Sequence, residues 1–132
     1  MPWTAEGPSA GFSTSDRPWL PVRPEHRTLN AAVQEKDPES CLNFVRNLLK
    51  LRQAHPALKQ GTCELIPTDN DIVAFRRTLD GETLLCVFSF SRDRTLDMPV
   101  SGSLTPLLSR GCILEKDRIR LDPLGFSILE VT

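Results

Sequence analysis

The chain has 132 residues, 16 Lys and Arg against 17 Asp and Glu, and 39% hydrophobic residues, enough for one domain or for one small domain with an incomplete piece of another. This near-balanced charge, with no basic block, sets aside a nucleic-acid or membrane-surface role, and no apolar run approaches the roughly 18 residues of a membrane span. The opening MPWTAEGPSAG has neither the basic n-region nor the apolar h-region of a secretory signal.

Residues 1–36 are clusters of Pro, Gly, Ser and Asp around isolated aromatics, with no period of 2 or 3.6. A loop of this length inside a compact domain is unusual and is either functional or disordered. Trp3, Phe12, Trp19, Leu20 and Val22 are costly to leave in water, so the segment is expected to lie against something larger. A short helical turn is expected over 30–35, NAAVQE.

Residues 37–58, DPESCLNFVRNLLKLRQAHPAL, carry the strongest helical periodicity in the chain. Asp37 is expected to cap a helix over 37–55, with Pro38 at its first position and Pro56 stopping it. Cys41, Leu42, Phe44, Val45, Leu48, Leu49 and Leu51 spread over about half the circumference, wider than an ordinary surface stripe, so the helix needs cover on two sides. Asn43, Arg46, Asn47, Lys50 and Gln53 form the solvated face. Arg52 falls within the apolar arc, either packing its stem on apolar neighbours with its head on nearby carbonyls, or making an inter-domain ion pair.

Gly61 is expected to take a positive φ in a turn. Strands are expected over 62–66, 72–79, 83–90, 94–100, 104–109, 111–114, 118–121 and 126–131. Asp80-Gly81 marks a hairpin. Leu84, Cys86, Phe88 and Phe90 share one face of the strand that follows and Leu85 and Val87 the other, which places it centrally. Asp122-Pro123-Leu124-Gly125 reads as a turn before the last strand. The fold class is therefore mainly β: a C-terminal antiparallel, Greek-key-like β-sandwich after one long α-helix and an extended loop.

Cys41, Cys63, Cys86 and Cys112 stand singly, without C-x-x-C or a histidine at ligand spacing. They read as buried reduced thiols, which points to a cytoplasmic address; neither a metal nor a cofactor is expected. No phosphate loop or nucleophile elbow occurs. His26 reads as a surface loop residue and His55 as a helix-end residue.

The words Met1-Pro2-Trp3, Ala10-Gly11-Phe12-Ser13, Pro18-Trp19-Leu20-Pro21-Val22, Asn30 with Gln34, Asp37-Pro38 with Ser40, and Leu48 to Arg52 followed by His55-Pro56-Ala57-Leu58 and Gly61 occur in an order that resembles the α-glucosidase and oligo-1,6-glucosidase branch of glycoside hydrolase family 13, the α-amylase superfamily. The resemblance is to its C-terminal portion. It implies that residues 1–58 are the end of a (β/α)₈ barrel, with a rim loop over 1–27 and the last barrel helix near 37–55, and that residues 59–132 are the C-terminal β-sandwich.

Retaining hydrolysis needs two carboxyl groups about 5–5.5 Å apart. The resemblance implies that the nucleophilic Asp, the acid/base Glu and the transition-state-stabilising Asp follow earlier barrel strands; none of their motifs is present, so no residue of this chain is assigned a catalytic role. Glu6, Asp16 and Glu25 need no role beyond solvation. Trp3 and Trp19 are the candidates for substrate contact, through a flat apolar face on a pyranose ring, and only with the full barrel; loop packing is the alternative. The expected partners are the upstream barrel of the same enzyme and, in the intact parent, an oligosaccharide. The competing reading is a free-standing β-sandwich for carbohydrate binding or protein interaction, to be recognised by exposed aromatics lined up on one sheet face.

Overall fold

Asn30 ends the long N-terminal loop by starting a helix. In the computed structural model, which describes residues 1–68 and 71–132, its Oδ1 accepts from the Val33 N–H at 3.1 Å and caps α1 (Ala31–Lys36). A 3₁₀ turn over Pro24–Arg27 precedes it. The Asn30 amide nitrogen donates to the carbonyls of His26 and Arg27 at 3.2 and 3.0 Å, which lets this polar side chain lie buried.

The main helix, α2, runs over Cys41–Ala54, starting later than expected. Asp37 caps only a preceding turn, accepting from Glu39 N–H at 2.9 Å. The first turn of α2 is instead satisfied by Ser40 Oγ, which accepts from Asn43 N–H at 3.3 Å, and by Gln34 Oε1, which accepts from Leu42 N–H at 3.1 Å. A side chain on α1 thus supplies an acceptor the local sequence lacks. Asn43, expected in solvent, is half-buried and donates to the carbonyls of Gln34 and Asp37 at 2.9 and 2.8 Å. Arg46 closes the junction with a two-pronged contact to Glu35, at 2.7 and 3.0 Å.

Pro56 ends α2 and a short α3 (Ala57–Gln60) follows. Gly61 does not take the expected positive φ; it sits at φ −63. Glycine is required there by crowding, because a Cβ would lie 2.6 Å from the Ala57 carbonyl oxygen and 2.8 Å from that of Thr78. Arg52 rests its guanidinium on the Leu58 carbonyl, the first of the two arrangements its sequence position allows.

The rest of the described chain is antiparallel sheet: β1 (Thr62–Ile66), β2 (Ile72–Leu79), β3 (Glu82–Ser89), β4 (Leu96–Pro99), β5 (Leu104–Leu114) and β6 (Arg118–Val131), in the order β1-β2-β3-β6-β4 with β5 also on β6. The Asp80-Gly81 hairpin forms as expected, both residues at positive φ (48 and 89), the arrangement whose twist matches its strands. Leu84, Leu85, Cys86 and Val87 are all buried, as befits a central strand.

Six strands are described where eight segments were expected, because two supposed turns lie within strands. The second half of β6 pairs with β3 and with the start of β5; its first half pairs with β4 and with the end of β5. At the bend between them Leu124 has φ 57. A Cβ on Gly125 would fall 2.1 Å from the Gly111 carbonyl oxygen, so the two backbones meet where only glycine fits. Turn-forming residues here bend a continuous ladder, as bulges do. Leu85, Val87 and Leu129 thereby pack in one core with Leu96, Met98, Ile119 and Leu121. The mainly antiparallel β class with few helices is the one expected.

By its packing the chain forms two units, Met1–Lys50 and Leu51–Thr132, with the division falling inside α2.

Candidate functional site

The candidate site lies in the first unit, where the loop carrying both tryptophans is tied down by its backbone. Trp3 N–H donates to the Ala10 carbonyl at 2.8 Å, while the carbonyls of Pro2 and Trp3 accept from Ala31 and Ala32 N–H at 3.2 and 2.9 Å. With Asn30, these bonds satisfy the free amides of the first turn of α1, the groups a helix start leaves open. Ser9, buried, donates to the Ser15 carbonyl at 2.5 Å, and Arg27 reaches the Ala5 carbonyl. The segment is a structured loop.

Trp3 is 52% exposed and Trp19 95% exposed. Two apolar cavities open beside the loop: one of about 520 Å³ among Phe12, Leu20, Val22 and His26, the other of about 470 Å³ among Leu29, Cys41, Leu42 and Val45. Met1, Pro2 and His26 border both, and neither tryptophan lines either one. The structure therefore does not gather the two indoles into one pocket.

Glu6, Asp16 and Glu25 are exposed in loop or 3₁₀ turn. Some other carboxylates are held by cations, as Glu35 is by Arg46 and Asp71 by Arg94. Among the described residues no group of three His, Cys, Asp or Glu could hold a metal ion. All four cysteines are free, but only Cys86 is buried; Cys41 and Cys63 are exposed and Cys112 lies between. The expectation of four buried thiols thus fails where an apolar context in sequence faces outward in the fold. No described helix is long and apolar enough to cross a membrane.

Sequence reasoning missed one cluster in the second unit. His55 Nδ1 lies 2.7 Å from Glu82 Oε1, Glu82 Oε2 accepts from Ala57 N–H at 2.8 Å, and Arg77 Nε donates to the Ala57 carbonyl at 3.1 Å. Ala57 is fully buried, and its N–H and its carbonyl are each met by a charged side chain. Burial pushes the Glu82 carboxyl up, but the bonds from Ala57 and His55 hold it below its ordinary value. The only signal was a carboxylate beside the Asp80-Gly81 turn, which nothing linked to His55 in sequence.

In the sheet the half-buried Phe75, Phe88 and Phe126 form a row, with ring centroids 6.0 and 6.2 Å apart and planes within 21° and 17°.

Residues 1–61 match the family described as "Alpha amylase, catalytic domain". The chain is 35% identical over 92 residues to the oligo-1,6-glucosidase of Parageobacillus thermoglucosidasius, covering 69% of this chain and 16% of that one. It is 35% identical over 130 residues to Maltase 1 of Drosophila virilis, covering 93% of this chain and 20% of that one. Among solved structures it is similar to the isomaltulose synthase of Erwinia rhapontici NX5, with a TM-score of 0.82 and 27% identity over 99% of this chain and 24% of that one. The chain spans about a fifth of the length of the curated relatives it matches. It belongs to the α-amylase family, glycoside hydrolase family 13, among whose α-glucosidases and oligo-1,6-glucosidases its relatives fall.

Proposed function

We propose that this chain is the C-terminal part of an α-glucosidase, an enzyme for retaining hydrolysis of terminal α-glucosidic bonds in oligosaccharides, and that it has no catalytic competence alone. Residues 1–58 complete the barrel and residues 59–132 form the β-sandwich that supports it. The observation that carries this reading is the pairing of α-glucosidase relatives about five times its length with a main helix that buries none of its own residues. Over α2, Val45 is 43% and Leu49 53% exposed, an apolar surface suited to a larger body.

Trp3 and Trp19 are assigned to the rim of the assembled substrate site, a role their exposure supports. The four free thiols support a reducing, cytoplasmic setting. The competing binding-module reading wants aromatic faces open on one side of the sheet, whereas the row Phe75, Phe88 and Phe126 is half-buried.

The deciding experiment assays p-nitrophenyl α-glucoside with the chain alone, and with the separately expressed portion of the P. thermoglucosidasius enzyme that precedes the matched segment. The expected result is turnover only in the mixture, with Trp19→Ala raising KM there. Turnover by the chain alone overturns the proposal.

A further inference from the structure

Among the described residues three strands of the second unit have a free edge: β1 pairs with β2 alone, and β4 and β5 each with β6 alone. Proline blunts two of these edges. The Val100 N–H donates to the Asp117 carbonyl at 2.9 Å and the Thr132 N–H to the Ser103 carbonyl at 3.0 Å. Because bonded pairs alternate along an antiparallel ladder, these two bonds set Pro99 on β4 and Pro106 on β5 at positions whose backbone faces outward, where each withholds a donor. β5 also carries two register shifts, between Pro106 and Leu108 and between Arg110 and Cys112.

The β1 edge has neither device. The Phe90 N–H donates to the Asp71 carbonyl at 2.8 Å, so by the same alternation Val73, Phe75 and Arg77 bond to β3, and Ala74, Arg76 and Thr78 turn to β1. Their partners there are Ile66, Glu64 and Thr62. The N–H and C=O groups of Cys63 and Leu65 therefore point to the open edge, and among the described residues neither finds another backbone partner. Both side chains lie on one face, with Leu65 74% exposed and opposite the half-buried Phe75.

Glu64, between these two residues, selects the occupant. Its side chain is 70% exposed, and its contact with Arg76 is long, at 3.5 Å. A second copy adding antiparallel about Glu64 joins every open group of Cys63 and Leu65, but it sets Glu64 directly opposite its own copy, a repulsive pair. Registers about Cys63 or Leu65 avoid that pair and forfeit bonds, since the Gly61 N–H is already given to the Ala57 carbonyl and Pro67 has no N–H. A charge on an edge strand thus opposes self-pairing, and the same charge attracts a strand of opposite sign. We propose that β1 takes up, by antiparallel strand addition, an extended peptide segment with apolar residues opposite Cys63 and Leu65 and a Lys or Arg opposite Glu64.

The test titrates the full chain with the blocked peptide acetyl-Thr-Val-Lys-Val-Thr-amide, and with the same peptide carrying Glu in place of Lys, while NMR follows amide hydrogen exchange. The Lys peptide is expected to slow exchange at the N–H groups of Cys63 and Leu65 and to leave those of Glu64 and Ile66, which already face β2, unchanged. It is expected to bind about five-fold more tightly than the Glu peptide, and Glu64→Lys to reverse that preference. N-methylation of both valines removes the ladder donors and keeps the side chains, and is expected to abolish binding. Equal affinity for the two peptides, protection at Glu64 in place of Cys63 and Leu65, or no protection by the Lys peptide at millimolar concentration overturns the proposal. Protection of Cys63 and Leu65 that rises with chain concentration in the absence of peptide overturns it in favour of a second copy. Should Glu64→Lys fail to fold by circular dichroism, the two peptides on the unmodified chain decide alone.

Discussion

Replacing Glu82 by alanine tests whether the end of α2 is fastened to the β2–β3 hairpin by the clamp described above. The carboxylate makes two short contacts, 2.7 Å to His55 Nδ1 and 2.8 Å to Ala57 N–H, with the His55 and Glu82 side chains only 19% and 23% exposed. Truncation leaves the amide of a fully buried alanine without an acceptor, a loss of about 1–3 kcal/mol. The partly exposed contact to His55 adds about 0.5–1 kcal/mol. Glu82→Ala should therefore cost about 1.5–4 kcal/mol in urea denaturation at pH 7, and Glu82→Gln, which keeps one acceptor, about 1 kcal/mol. The sign with pH is fixed by the folded carboxyl lying below its ordinary value. Its contribution is present above the unfolded pKa and is lost as pH falls through the folded one. The gap between the unmodified chain and Glu82→Gln should thus shrink as pH drops below about 4.3. A cost under about 0.5 kcal/mol for Glu82→Ala, or a gap that stays constant into acid, refutes the clamp.

Asn30→Ala removes a cap and two further hydrogen bonds at a buried site; a loss of about 2–3 kcal/mol and faster hydrogen exchange at Val33 N–H are expected, and unchanged exchange would contradict the cap. Gly61→Ala suits the φ of −63 but collides with two carbonyl oxygens, so a melt should show about 1–3 kcal/mol lost, where relief of chain entropy alone would give a gain. Ellman's reagent at pH 8 should titrate Cys41 and Cys63 in the native chain and reach Cys86 only after unfolding, because burial pushes the Cys86 thiol to about 11; rapid native reaction of Cys86 would show the central strand to be open.

Much of the strand pattern was legible because β2 and β3 carry both the alternation and the turn chemistry that define a hairpin. The errors share one physical origin. Asp37-Pro38 is a sound helix start by local rules, yet Gln34 and Ser40 fix the start three residues later, and the Gln34 acceptor comes from another element. Asp122 to Gly125 is a sound turn by composition, yet the approach of Gly111 makes it a bend in a strand. Gly61 was rightly singled out and wrongly explained, since a steric demand from Thr78 leaves no trace in neighbouring sequence. At the candidate site, the loop and its tryptophans were readable, whereas its hydrogen-bonded ties were not.

The residues behind the family resemblance now divide into two kinds. Asn30, Gln34, Ser40, His55 and Gly61 are accounted for within the chain: each caps, ties or clears space at a junction, and their contacts are internal. Trp19 and Leu20 are not, for they stand 95% and 66% exposed, where local folding gains nothing from a large apolar side chain. Junction residues hold the two helices and the loop in one arrangement, and that arrangement presents outward the residues whose presence it does not explain. A fixed scaffold displaying unspent apolar side chains is what a docking surface requires, because ordering that precedes association lowers its cost. On the proposed α-glucosidase reading, the polar junctions serve the same end as the exposed tryptophans: they hold the surface ready for a larger body that would supply the burial.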